Sequence, residues 1–205
     1  MISTNYKILF KKLITEWEQS KSQRYFISIA GCSRSGKTSL AKRLKEDLEK
    51  LAIDSIIISL DNWLLGVDER NGTETVRERF QYKKITEDLT KLKNGEKIYS
   101  RVYHPKSRKI IRDKSIKSLK IESGGIGIID GIVALDIKEL RELSDYKIYV
   151  EIDDKIRKKR LIDFYVNYKN YSLNEAKKII DPREKEEVIM IKKTKKYADF
   201  KMIFT

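Results

Sequence analysis

The sequence predicts an α/β protein built on one parallel sheet with helices on both faces. Three observations carry this. Short aromatic and β-branched runs, such as Tyr25–Ala30 and residues 126–129, have the unbroken apolar character of strands buried on both sides. Between such runs, apolar residues recur at helical spacing, as at Leu40, Leu44, Leu48 and Leu51 among Lys, Arg and Glu. The two patterns alternate along the chain, the order of a parallel sheet with covering helices.

Element by element, the reading runs as follows. Tyr6, Leu9, Phe10, Leu13, Ile14 and Trp17 stand at helical spacing over residues 3–20, so an extra helix within 1–22 precedes the first strand. It packs on the sheet edge or forms a dimer contact. After the strand Tyr25–Ala30 and a helix over the leucines, residues 55–60 give a second strand ending at Asp61. The charged stretch 66–75 reads as a mobile loop, and residues 85–92 as a helix stopped near Asn94-Gly95. Short strands at 98–103 and 109–111 flank Pro105. A buried strand at 126–129 ends at Asp130, and another at 146–152 leads into a helix from about 154. Residues 173–180 and 183–197 read as two helices, and 200–204 as a last strand. No linker or repeat divides the chain, so 1–205 is one expected domain.

Composition is globular, with 37% charged and 40% hydrophobic residues. The formal charge of +14 raises a nucleic-acid reading, but acidic residues are interleaved almost everywhere, as in residues 45–50. Solvated faces and a basic cleft for a phosphorylated ligand fit better than a nucleic-acid surface. The one cysteine, Cys32, excludes an internal disulfide and a Cys/His zinc cluster. The apolar runs are too short to span a bilayer, and the first residues lack a signal-peptide core, so a cytoplasmic protein is expected.

Gly31-Cys32-Ser33-Arg34-Ser35-Gly36-Lys37-Thr38 fits G-x-x-x-x-G-K-[ST], with a strand before it and a helix after it. Glycines allow close backbone approach, so successive N–H groups can face a polyphosphate. Lys37 adds charge at the β- and γ-phosphates, Thr38 offers a hydroxyl to Mg²⁺, and Ser39 continues the loop into a helix whose positive end aims at the same anion. This is the loop of the P-loop NTPase fold. Cys32 reads as a small tolerated residue or, with a helix N-terminus nearby, a reactive thiolate. Ligands of parallel sheets bind at the carboxyl ends of the strands, where the loop, Asp61 and Asp130 all fall. Phosphoryl transfer needs a phosphate cradle, a metal and a group that orients the acceptor. Asp130 suits the metal side and Asp61 the acceptor side. The bland alternative for either aspartate is a cap or turn former.

These residues, taken in order, resemble the uridine kinase and phosphoribulokinase branch of P-loop kinases. Gly31 to Thr38 is similar to that family's G-x-S-x-S-G-K-T. Leu60-Asp61-Asn62-Trp63 resembles its D-[SDN]-[FW], whose Asp is the acceptor-side base. Residues 128–135 resemble I-[IV]-E-G-I-x-A-L, with Asp130 at the usual Glu. Residues 146–151 leading to Arg160, and Lys195-Lys196-Tyr197-Ala198-Asp199, resemble its later segments. The resemblance implies an Mg²⁺-dependent kinase moving the γ-phosphoryl of ATP, or GTP, to a hydroxyl of a small metabolite, with uridine or cytidine leading. It implies a basic lid over about 157–182, with Arg157 and Arg160 closing on phosphates. Solvated helix charge is the alternative for both. It also places Trp63 and Tyr103 beside the acceptor.

The chain departs from that pattern in its hairpin. Tyr103-His104-Pro105-Lys106-Ser107-Arg108 keeps the Tyr of Y-D-x-x-x-H-x-R but replaces its Asp with His104 and its His with Arg108. Arg108 and the surrounding basic residues fit an anionic alcohol, so pantothenate or a sugar phosphate stands as the alternative acceptor. A nucleic-acid-linked or regulatory NTPase is the rival of another class. N-K-x-D and D-x-x-G elements of GTPases are missing. The expected partners are a small-molecule substrate and, optionally, a second copy of the chain, with no specific nucleic acid and no membrane.

Overall fold

A computed structural model describes residues 4–111 and 116–204. Residue 3 of the expected first helix lies outside them. Five parallel strands form the central sheet in the order β2-β7-β1-β8-β9. They are β1 (Tyr25–Ala30), β2 (Ser55–Ser59), β7 (Ile126–Asp130), β8 (Tyr146–Ile152) and β9 (Phe200–Phe204). Every residue of β1 and β7 is buried, which explains their unbroken apolar runs.

Alternation along β1 divides the core in two. Tyr25, Ile27 and Ile29 face Leu40, Leu44 and Leu48 of α2 (Lys37–Lys50), together with α1 (Thr4–Gln19). Phe26 and Ala30 face the opposite layer, which includes Ile85, Leu89 and Leu92 of α3 (Tyr82–Lys93) and Leu140 of α4 (Lys138–Leu143). Ser28, on that second face, is kept satisfied by a 2.6 Å hydrogen bond with Ser144. On α1, Leu9 and Leu13 are fully buried in the layer that holds Met202 of β9, so the extra helix covers the sheet edge.

Two expectations change. The run 98–103 is not one strand. It breaks at Arg101 into β3 (Ile98–Ser100) and β4 (Val102–His104). β4 pairs with β5 (Lys109–Ile111), and β3 pairs with β6 (Lys117–Leu119), a strand too short and polar to read from sequence. The turn of the β4–β5 hairpin closes through Arg108 N–H on the His104 carbonyl at 2.8 Å, with Arg108 in the left-handed region at φ 59°. Likewise, residues 173–197 are not two helices. A single helix, α6 (Leu173–Thr194), runs through Pro182. An interior proline costs roughly 3 kcal/mol. Buried anchors on both sides offset it: Ala176 and Ile180 against the lid, Ile191 and Thr194 against the main core. The expected lid region holds α5 (Asp154–Asp163), a π-helical turn (Phe164–Tyr168) and the start of α6, with its own small core around Leu161 and Tyr165.

The charged stretch 66–75 is fastened rather than loose. Val67 N–H donates to the Arg108 carbonyl at 2.8 Å, and Arg70 Nε donates to the Leu65 carbonyl at 2.9 Å. Among the described residues, no helix is long and apolar enough to cross a membrane.

Candidate active site

The sheet register brings the site together. β7 lies between β1 and β2, pairing Asp130 with Ile29 on one side and Ser59 on the other. The glycine loop begins two residues after Ile29, and Asp61 stands two residues after Ser59. Gly31, Lys37, Thr38, Asp61 and Asp130 therefore surround one end of the sheet, as the sequence predicts.

Gly31 has φ 147°, and a Cβ there would lie 2.4 Å from the Val150 carbonyl oxygen. Only glycine lets the loop turn that tightly against β8. Gly36, at φ 106°, turns the chain into α2. The buried Lys37 bends back, its Nζ donating to the Cys32 carbonyl at 3.1 Å and spanning the loop. Ser35 is buried within the loop, while Arg34, Thr38 and Ser39 are exposed. Cys32 is buried with its Sγ 4.0 Å from the Tyr149 hydroxyl, and burial pushes its thiol above the ordinary value. That environment favours the small, inert reading over the reactive one.

Thr38 Oγ1 donates to Asp130 Oδ2 at 2.6 Å. A hydroxyl and a carboxylate oxygen side by side form a hard-oxygen donor pair that suits Mg²⁺, which takes one or two carboxylates and completes its shell with water and substrate phosphates. Asp61 opens onto the cleft. Solvent reaches its side chain, yet protein crowds it closely. That crowding, and then the charge of Asp130, push its carboxyl up to about 6, against the opposing pull of Lys37 and Arg34.

The remaining expected residues divide. Tyr103 is half-buried, its N–H donating to Asn62 Oδ1 at 3.3 Å, which ties the hairpin to the residue after Asp61. Trp63 is only 3% exposed and packs in the core, its indole N–H donating to Asp88 at 2.8 Å. That position gives it a packing role in place of the expected place against the acceptor. Arg157 is likewise corrected. It is 2% exposed, its Nη1 donates to Glu184 Oε1 at 2.7 Å, and Asp154 sits 3.2 Å from its Nε. Its guanidinium is committed to these carboxylates, while Arg160 remains exposed on α5.

Three carboxylates on α6 carry no signal in the sequence that sets them apart from solvated helix charge. Glu184 holds Arg157, Glu186 accepts from the Val76 N–H at 2.6 Å, and Glu187 accepts from the Ser33 N–H at 3.0 Å. One turn of α6 thus fastens the lid helix, the segment after Asp61 and the phosphate loop to one another.

Comparison with known proteins settles the family. The model of the phosphoribulokinase / uridine kinase family matches residues 26–204. The chain belongs to this family. Its uridine kinase relative from Macrococcus caseolyticus (strain JCSC5402) is 27% identical over 188 residues, covering 87% of each chain. Among solved structures, a proposed fructose transport system kinase from Silicibacter sp. TM1040 superposes with TM-score 0.79 at 16% identity, covering 97% of this chain and 99% of that one. A possible uridine kinase from Bacillus stearothermophilus gives TM-score 0.64 at 21% identity, covering 97% of both. These structures share the fold of the chain, with its parallel sheet and covering helices. Membership makes the chain an ATP-dependent kinase that phosphorylates a hydroxyl.

Proposed function

We propose that the protein transfers the γ-phosphoryl of ATP, with Mg²⁺, to a hydroxyl of a small metabolite held between Asp61 and the β4–β5 hairpin. The observation that carries this is the convergence of Lys37, the Thr38–Asp130 pair and Asp61 at the ends of three adjacent strands. The loop amides and Lys37 hold the phosphates. Thr38 and Asp130 hold the metal, which when bound neutralises charge on the transferring phosphoryl. Asp61 orients the acceptor hydroxyl and takes its proton, and the exposed Arg160 reaches over the phosphates from the lid. Most of the rate comes from positioning and charge neutralisation. The names of the curated relatives support a nucleoside, uridine or cytidine, as acceptor. Cations around the hairpin favour an acidic alcohol instead.

The test is phosphoryl transfer from ATP·Mg²⁺ to uridine, cytidine, pantothenate and sugar phosphates, with Asp61→Asn in parallel. Acceptor-dependent transfer that falls about a hundredfold or more in the variant supports the reading. Transfer unchanged by Asp61→Asn refutes the role of Asp61.

A further inference from the structure

Six cations meet where residues 164–169 approach the hairpin: Lys106, exposed at the hairpin turn, and five others. The Arg34 guanidinium lies 3.3 Å from the Phe164 ring centroid, and Lys169 Nζ lies 5.2 Å from the same ring. Lys169 Nζ is also 4.9 Å from the Tyr165 ring, whose hydroxyl accepts from Arg183 Nη1 at 2.8 Å. The hairpin reaches the same turn, with Lys106 Nζ 5.9 Å from the Tyr168 ring and Arg108 two residues further on. Arg70, fixed on the Leu65 carbonyl, stands on the segment that bonds to Arg108.

Several nearby arginines outside this group are neutralised, while Arg79 is held only by the Glu74 carbonyl. Arg77 pairs with Asp136, Arg101 with Glu69, and Arg157 with Glu184. Among the described residues, Arg34, Arg70, Arg108, Lys169 and Arg183 form no ion pair. Except for exposed Arg34, they are half-buried. Burial first, then the charges of Arg108, Arg183, Arg34 and Arg70, depress Lys169 to about 8. Asp61 acts on Arg34 from a distance, but among the described residues no carboxylate pairs with any of the five, and such a cluster is arranged for an anion that arrives from outside. The nucleotide phosphates already have the glycine loop and Lys37. Arg70 and Arg108 sit instead on Asp61's side, on elements tied to Asn62 through Tyr103.

We propose that Arg34, Arg70, Arg108, Lys169 and Arg183 recognise an anionic group, phosphate or carboxylate, on the acceptor, so that the acceptor is an acidic alcohol and not a neutral nucleoside. This rests on the kinase reading above, and the experiment separates the two. Steady-state transfer from ATP·Mg²⁺ is compared for ribose and ribose 5-phosphate, for glycerol and glycerate, and for uridine. The anionic member of a pair is the better acceptor, and the pair that responds tells phosphate from carboxylate. Arg108→Ala and Arg70→Ala each raise its KM about tenfold or more and leave the KM for ATP unchanged. Uridine outperforming both anionic alcohols, or a rise in the KM for ATP instead, overturns the proposal.

A second measurement needs no turnover. Inorganic phosphate is titrated calorimetrically into Lys37→Ala, whose glycine loop is impaired, after circular dichroism shows that the variant is folded. Saturable binding that weakens about tenfold on adding Arg108→Ala supports the cluster. Absence of saturable binding for both phosphate and glycerate, titrated in the same way, overturns it, whatever the kinetics show. A wild-type protein that binds phosphate at the cluster but transfers nothing from ATP refutes the kinase reading alone.

Discussion

Replacing Asp61 by Asn should cripple the chemistry and strengthen the fold. Crowding and Asp130 hold the Asp61 carboxyl at about 6, against an ordinary 3.8. A raised carboxylate pKa means that the folded protein resists ionising this group, so folding stability is intact below about pH 4 and is lost as pH rises through about 6. The full gap corresponds to about 3 kcal/mol. Solvent reaches the side chain and screens it, which brings the penalty to about 1 kcal/mol. Asn keeps the shape and removes the charge. At about pH 8 the variant should therefore melt about 2–4 °C above the wild type, and the gap should close as pH falls toward about 4. Calorimetric melts of both proteins across that range provide the assay. A variant that melts at or below the wild type at pH 8, or whose advantage persists undiminished at low pH, would show that Asp61 is not held in an unfavourable charged state.

Arg157→Met should cost about 3–5 kcal/mol in denaturant unfolding, because it leaves Glu184 facing a buried neutral neighbour; a loss under 1 kcal/mol would make the pair marginal. Trp63→Phe should lower stability by about 1–3 kcal/mol through the lost bond to Asp88, and leave the acceptor KM unchanged. A large KM change would return Trp63 to the acceptor. Lys169 loses its charge as pH rises through about 8, with Arg108, Arg183, Arg34 and Arg70 facing it and the Phe164 and Tyr165 rings beside it. Phosphate affinity measured calorimetrically should then fall between about pH 7 and pH 9, and Lys169→Met should flatten that fall.

Local pattern made the central sheet legible. Tyr25–Ala30 and the run before Asp130 are apolar because both faces are covered, and that signal needs no partner to be read. The phosphate loop was equally legible, since its glycines and Lys37 act through backbone geometry close in sequence. What depends on distant pairing was not. The hairpin region divides into two ribbons because β3 finds β6 some twenty residues later, and nothing in residues 98–103 announces the break. Arg157 and Trp63 were placed by resemblance at the substrate. The structure gives one to Glu184 and the other to Asp88, partners 27 and 25 residues away. The two helices read over 173–180 and 183–197 are one, because buried contacts on both sides carry α6 through Pro182.

The two halves of the site are built from material of different strength. Lys37, Thr38 and Asp130 hang from the middle of a five-stranded sheet with core on both faces, so they cannot move apart without dismantling the molecule. Arg70, Arg108 and Tyr103 stand on an irregular segment and a ribbon of three-residue strands, a structure that is marginal alone. They are held by a few local hydrogen bonds and not by the main core. The donor half is thereby insulated from change in the acceptor half. On the proposed reading, insertions or exchanges in the hairpin would retune the acceptor while the sheet-borne residues keep their geometry, which makes this ribbon the place to redirect the enzyme to a new alcohol.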